Sequence, residues 1–454
     1  MNFSDINIKT RVLSVIILGA IMIALDGSTV SPILYPLKTS FGVSERLIVW
    51  AINIEVMFLL IFSPIVAKLS DFFGRKKVYL FCTASFLAGL AIVFFSESYP
   101  VFLIGRALQG IGAGISVLAI ILIGDNFTES RGTVLGIFGV AIGMVYATGP
   151  LVAGLLEGYD WHWVFAANIP VATALLLFCF FLLPEDGPIK EKKTADWRGV
   201  ISLSVAIAAF SVFITGFGGF PLSWEMISAV IVCVAGIILF LHSEKKSPEK
   251  ILPLDMLKRK NPCIGYALTL FGYLAGAGTY FFSTYAILAF GLSDPAGSYI
   301  LIPFTVSSLI ATVIIGKLLD ITGPKPVLMA GGIISAAGML ILGTSQNITV
   351  FILSIILIGA GNASVAGNAI YYLMLEESGR KNRASAQGFL NILLNAGSLI
   401  GGAVLGVMLD SQTNGLSDFK DTYIALAFVY LALSALAALI DKKKKDRKEN
   451  SSGV

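Results

Sequence analysis

Residues 67–78 read AKLSDFFGRKKV, and residues 316–327 read GKLLDITGPKPV. Aligned, Leu69 meets Leu318, Asp71 meets Asp320, Gly74 meets Gly323 and Lys76 meets Lys325, each pair 249 positions apart. A second correspondence follows, in which Arg131, Gly136, Gly149 and Gly154 match Arg383, Gly388, Gly401 and Gly406, each 252 apart. The chain therefore contains two related halves. Each copy of the basic segment lies between two long apolar stretches, as a turn would.

Those stretches set the fold class. The chain has 454 residues, 56% hydrophobic and 13% charged, against about 25% charged in a soluble domain. A segment that crosses a bilayer needs about 20 mostly apolar residues. Such segments fall at 12–34, 47–67, 78–95, 101–124, 134–156, 164–183, 199–217, 224–242, 262–287, 298–319, 326–344, 349–373, 385–409 and 422–441, with the least distinct edges in the glycine-rich stretches 207–217 and 273–292. The expectation is an all-α membrane protein of about fourteen transmembrane helices, formed by two six-helix repeats with two helices inserted between them. Its parts are an N-terminal half (1–183), a linker with the inserted helices (184–261), a C-terminal half (262–441) and a charged tail (442–454). Two parallel repeats suit a carrier whose halves rock about a central site.

Charge orients the bundle. All but four of the 32 lysines and arginines fall in alternate connections and in the tail, on the side shared by both termini. The exceptions are Lys38, Arg46 and Lys420 on the opposite side and Arg106 within a span. Basic residues stay in the cytoplasm, so both termini are expected inside and the number of spans even. The net charge of +4 comes from these short connections, which argues against nucleic acid as a partner. The four cysteines show no metal-ligand spacing, and no cofactor is expected.

Five further stretches carry chemistry. Residues 103–114, LIGRALQGIGAG, place Arg106 inside an apolar run with Gln109 and glycines after it. A charge at mid-membrane costs about 2.5–3.5 kcal/mol on insertion scales, so Arg106 must face protein or water. Residues 143–154, GMVYATGPLVAG, hold Pro150, which removes a helix hydrogen bond, between Gly149 and Gly154, which allow close helix approach. Residues 25–37 read LDGSTVSPILYPL, residues 161–170 WHWVFAANIP and residues 251–262 ILPLDMLKRKNP.

Together with the repeated turn, these stretches resemble the major facilitator superfamily, and within it the fourteen-span drug/proton antiporters, over roughly residues 12–440. The turn is similar to the family's G-x-L-x-D-x-x-G-R-K, with Ala67 for the first glycine. The resemblance implies an inner-side gating role for Asp71, Gly74, Arg75, Lys76, Asp320 and Gly323. It assigns Arg106 to proton coupling. It makes Gly149, Pro150 and Gly154 an antiporter motif, with Ala153 for one glycine, which is the reason to expect efflux. His162 stands where arginine is usual. The resemblance also implies a monomer.

Ionisable groups inside spans are functional candidates by default. Asp26 and Glu55 join Arg106 in the first half. A carboxylate withdrawn from water favours its neutral form, so either acid can hold a proton or attract a cationic substrate, and competition between the two produces exchange. Asp26 fits the family pattern. Glu55 departs from it, since an aromatic residue is common there, and marks either a cation preference or an ion pair with Arg106. The second half offers amides: Asn391 and Asn395 share a helix face and, with Gln109, are candidates to line a cavity or to bond between helices. Tyr273, Tyr280 and Phe281 are candidates for an apolar substrate wall. Glu97, Asp160, Glu225 and Asp294 lie near span ends and are expected to be solvated.

The expected function is secondary active export of small amphipathic or cationic compounds in exchange for protons, in an inner membrane, by alternating access. Exporters of a metabolite or of a tetracycline–metal complex would share the fold. No HExxH or GxxxxGK[ST] motif is present, and the only histidines, His162 and His242, lie near span ends, so an enzyme is not expected.

Overall fold

The computed structural model describes residues 8–127, 131–185, 197–216, 224–246, 254–365, 367–410 and 416–441. The tail 442–454, most of the connection after Glu185 and residues 251–253 of the ILPLD segment lie outside them. Among the described residues the secondary structure is entirely helical. The first half contains α1 (Ile8–Thr29), α2 (Leu34–Phe41), α3 (Glu45–Ile48), α4 (Trp50–Phe73), α5 (Arg75–Phe94), α6 (Tyr99–Gly112), α7 (Ile115–Asn126), α8 (Arg131–Glu157), α9 (Trp161–Ala166) and α10 (Asn168–Leu182). Then come α11 (Trp197–Gly216) and α12 (Trp224–Lys246). The second half contains α13 (Leu254–Leu257), α14 (Lys260–Gly276), α15 (Phe282–Phe290), α16 (Asp294–Tyr299), α17 (Ile302–Thr322), α18 (Pro324–Thr344), α19 (Ile348–Val365), α20 (Asn368–Leu409) and α21 (Leu416–Ala438).

Among the described residues, twelve helical segments are long and apolar enough to cross a membrane. The expected count of about fourteen differs at two places. In α11 the apolar helix is the shorter run Ile201–Phe210. In the expected span 262–287 the chain forms α14, a 3₁₀ turn at Ala277–Phe281 and then α15. The stretch Gly276-Ala277-Gly278 explains that break, because glycine weakens an α-helix and short 3₁₀ turns serve as connectors. Two boundaries move as well. Val30–Ile33 forms a turn after α1, where Pro32 lacks a donor. The backbone around Arg380–Arg383, expected as a connection, is helical within α20, and the break falls before Asn368 instead.

Each half has its own apolar interior. Val12, Tyr79, Phe86, Phe102 and Leu175 belong to the first, and Phe282, Tyr285, Met339, Ile355 and Tyr430 to the second. The α5–α6 pairing of the first half recurs as α18–α19 in the second, while α11 and α12 pack on each other. Ile120, Leu177, Ile238, Val313 and Ile314 stand exposed on the outside. An exterior this apolar fits lipid as solvent, and helices satisfy their backbone groups internally there.

The repeated turns share one backbone geometry. Gly74, between α4 and α5, has φ 97° and ψ 155°; Gly323, between α17 and α18, has φ 77° and ψ 177°. Side-chain-bearing residues almost never adopt this region. The two glycines are therefore a steric requirement of the reversal.

Candidate functional site

Arg106 is 1% exposed, in the middle of α6. The glycines around it make its position possible. A Cβ on Gly110 would strike the Glu55 carbonyl and lie 2.7 Å from Phe58 Cβ, so only glycine lets α6 lie directly on α4. Arg106 then spends its donors on four acceptors. Nε donates to Ala51 O at 2.8 Å, and Nη1 donates to Asp26 Oδ2 at 2.7 Å and to Gln109 Oε1 at 2.9 Å. Nη2 donates to Glu55 Oε2. The Phe165 ring lies 5.6 Å from Arg106 Cζ, in cation–π range.

The two acids are held differently. Asp26, in the last turns of α1, has both oxygens engaged, Oδ2 by Arg106 and Oδ1 by Gln109 Nε2 at 3.0 Å. It is 2% exposed, while Glu55 is 9% exposed. The Tyr146 hydroxyl lies against Gly27, next to Asp26, and Tyr146 and Tyr280 are both within electrostatic reach of Glu55. Tyr146 is exposed although it belongs to α8, which packs between α1 and the second half. The site therefore has one acid with both oxygens engaged, a second that keeps the larger share of exposure, and two tyrosines near them. Two ionised carboxylates against one guanidinium leave one negative charge, which one proton or one bound cation balances.

The structure brings Asp26, Glu55, Arg106 and Gln109 together, and the hydrogen bonds of Asn391 and Asn395 go to other partners. Gln109 is fully enclosed and braces Arg106 and Asp26. Asn391 is exposed and its Oδ1 lies 3.5 Å from Tyr371 Oη, while Asn395 Nδ2 donates to Asn391 O on its own helix at 2.9 Å. Tyr273 and Tyr280 are half-buried, but Phe281 packs in the second core beside Phe419, so it forms no wall.

Gly149, Pro150 and Gly154, expected to form an antiporter motif, lie near the C-terminal end of α8, where the halves meet. A Cβ on Gly149 would collide with Ser28, and one on Gly154 with the Tyr299 ring. Pro150 is inside the helix. Around them, Ser31 Oγ donates to Tyr280 O at 3.3 Å, Asn53 Nδ2 to Leu399 O at 3.2 Å and Thr305 Oγ1 to Ala147 O at 3.4 Å. Ser298 Oγ lies between the Glu157 carboxylate and Pro32 O. These bonds join first-half residues to second-half residues at the end carrying the 42–44, 158–160 and 291–293 turns. Neither Asn53 nor Glu157 is a candidate from the sequence. Asn53, on α4, meets Gly402 of α20 one turn beyond the Leu399 carbonyl it donates to, and only three-dimensional packing reveals that contact.

At the opposite end the named ion pairs stay within each half. Asp71 pairs with Arg75 at 2.8 Å, Arg75 with Asp125 at 3.6 Å, and Lys76 with Glu185 at 2.7 Å. The hydrogen bond and charge of Lys76 hold the Glu185 carboxyl below its ordinary value. In the second half Pro324 stands where Arg75 would be, and Asp320 is exposed. There Arg259 Nη2 pairs with Glu377 at 2.6 Å and Lys260 with Asp441 at 2.7 Å. His162, in the arginine position, pairs with Asp160 and stacks on Trp161 at 3.6 Å.

A helical, multi-pass chain of two repeated halves, with a buried charged cluster in the first, defines a membrane transporter. Residues 16–311 and 266–454 match the Major Facilitator Superfamily, and the chain belongs to that family. It is 29% identical over 408 residues to the MFS-type transporter YfiU of Bacillus subtilis, covering 85% of this chain and 77% of that one. It is 27% identical over 431 residues to the multidrug transporter protein MdtP of the same organism, covering 90% and 76%. The crystal structure of a D-xylose-proton symporter superposes with a TM-score of 0.70 at 18% identity, covering 95% of this chain and 97% of that one. That last likeness concerns the fold alone.

Proposed function

We propose that the protein exports small amphipathic or cationic compounds in exchange for protons, by alternating access, in an inner membrane with both termini cytoplasmic. The observation that carries this reading is the pair of carboxylates on one buried guanidinium. Arg106 and Asp26 balance each other, and the remaining charge sits on Glu55. A proton on Glu55 neutralises the cluster. A substrate cation beside Glu55 does the same, so each displaces the other. Relatives named as multidrug transporters support an amphipathic cargo.

The chain crosses the membrane fourteen times in this reading. The broken segment α14, 3₁₀ turn and α15 makes one crossing, and α11 with α12 makes an inserted pair. The bundle is joined at its outer end, where Tyr299 covers Gly154, and its cytoplasmic turns, with Asp71, Gly74, Arg75, Lys76, Asp320 and Gly323, latch the halves when the carrier faces outward. The carrier works as a monomer. The test is ethidium uptake into inverted vesicles energised by a proton gradient. Accumulation that collapses with an uncoupler is expected. Accumulation driven by ATP alone, or exchange that survives both Asp26→Asn and Glu55→Gln, would overturn the reading.

A further inference from the structure

Glu157 is the last residue of α8 and takes no part in the Arg106 cluster. It is 8% exposed. Its Oε2 accepts a hydrogen bond from Ser298 Oγ on α16, and its Oε1 has no hydrogen-bond partner. It lines an open recess of about 330 Å³ together with Pro36, Thr39, Ser40, Asp160, Trp161 and Asp294. None of these lining residues is basic. The charged groups brought to it by the surrounding elements are Asp294, from α16 and within electrostatic reach, and Asp160, which pairs with His162 of α9. On α2, Lys38 pairs with Glu45 of α3. The charged residues of α1, α7 and α17 (Lys9, Arg11 and Asp26; Asp125; Lys317 and Asp320) belong to the cluster or to the opposite end.

An ionised Glu157 in this position leaves Oε1 without a donor and faces a second acid. A neutral Glu157 carries its hydrogen on Oε1, leaves Oε2 to accept from Ser298 and removes the repulsion. We infer that Glu157 is a second proton-binding site, separate from the Arg106 cluster, and that its proton closes the outer end of the carrier by permitting the α8–α16 contact. The inference rests on the alternating-access reading above. It gives the outside proton a defined task. Bound at Glu157, the proton returns an emptied, outward-open carrier to the inward-open state, and its loss lets the end reopen.

The test places spin labels at Tyr159→Cys and Ser293→Cys in the full chain, with the exposed Cys263 replaced by serine, in lipid nanodiscs. The label separation is read by electron paramagnetic resonance from mildly acidic to mildly alkaline pH. The separation is expected to lengthen as pH rises. Glu157→Gln keeps an acceptor for Ser298 but cannot titrate, and is expected to hold the short separation throughout. Asp294→Asn is expected to move the transition to lower pH, since it eases ionisation of Glu157. A pH-indifferent parent, or a Glu157→Gln protein that follows pH as the parent does, overturns the inference. If Glu157→Gln fails to fold, an unmoved transition in Asp294→Asn overturns it. Proton-driven ethidium transport with a pH-indifferent separation sinks the Glu157 site alone. A pH-responsive separation without proton-coupled transport sinks the proposed function and leaves the site standing.

Discussion

Gly112 and Gly361 stand 249 positions apart and make the same contact. A Cβ on either would lie 2.6 Å from a carbonyl oxygen of the facing helix, that of Cys82 in the first half and that of Gly331 in the second. Cys82 and Gly331 are themselves 249 apart. The internal repeat therefore extends from the quoted turns into the packing of α6 on α5 and of α19 on α18. Overpacking such a crossing costs about 1–3 kcal/mol. Gly112→Ala and Gly361→Ala should each lower the thermal unfolding midpoint in detergent by similar amounts, and a silent substitution at one site would deny the equivalence.

Arg106 should be a structural requirement as well as a functional one. Removing one member of a buried ion pair costs about 3–5 kcal/mol, because its partners stay buried and uncompensated. Arg106→Ala is expected to destabilise the folded protein by that order. Arg106→Lys should recover little, since an ammonium cannot reproduce the guanidinium fork that meets Ala51, Asp26, Gln109 and Glu55. Denaturation monitored by tryptophan fluorescence, with five tryptophans in the chain, checks both.

The two acids should separate by what they lose. In Asp26→Asn the remaining Glu55–Arg106 pair is balanced without a proton, so proton coupling should vanish while the Glu55 carboxylate remains for a cation. In Glu55→Gln both coupling and cation affinity should fall, the latter by tenfold or more, since one charge-assisted contact is worth about 1.5–3 kcal/mol. Equilibrium binding of ethidium to the purified variants, beside vesicle transport, reads the split. Equal affinities would show that Glu55 does not touch the cargo.

Gly154→Val should favour opening where Tyr299 now covers α8. The valine side chain would occupy the position of the Tyr299 ring. A cysteine placed at the buried Thr29 should then react with a hydrophilic thiol reagent about tenfold faster, the equivalent of ~1.4 kcal/mol. An unchanged rate would show that the Gly154–Tyr299 contact does not hold this end shut.

The turns at Gly74 and Gly323 should tolerate no side chain. A residue bearing a Cβ in that backbone region costs about 1–3 kcal/mol. Gly74→Ala and Gly323→Ala should each reduce stability by that order, and amide exchange in the flanking helix ends should rise first. Neutral substitutions would mean that the turn relaxes into another conformation.

What the sequence makes legible follows from what each signal measures. The turns are readable because glycine, aspartate and lysine recur at one offset and glycine is needed there for a steric reason. Asp26, Glu55 and Arg106 are readable one at a time, since charge within an apolar run is rare and costly. Their meeting is not readable. It depends on how α1, α4 and α6 cross, which the glycines of the 103–114 stretch permit without specifying. Hydropathy averages over the 3₁₀ break at Ala277–Phe281, so the expected span 262–287 looks continuous. Glu157 sits where a span ends, and only the return of α16 across that end encloses it. Asn391 and Asn395 do share a face, yet Asn395 spends its amide on its own helix.

At Tyr280, inside the 3₁₀ turn, the carbonyl oxygen accepts from Ser31 of the other half. That bond uses the main chain on the Tyr280 side, so no substitution at position 280 deletes it. The ring, meanwhile, stands within reach of Glu55. The ring at position 280 can thus change, and with it the surroundings of Glu55, while the main-chain tie between the halves stays.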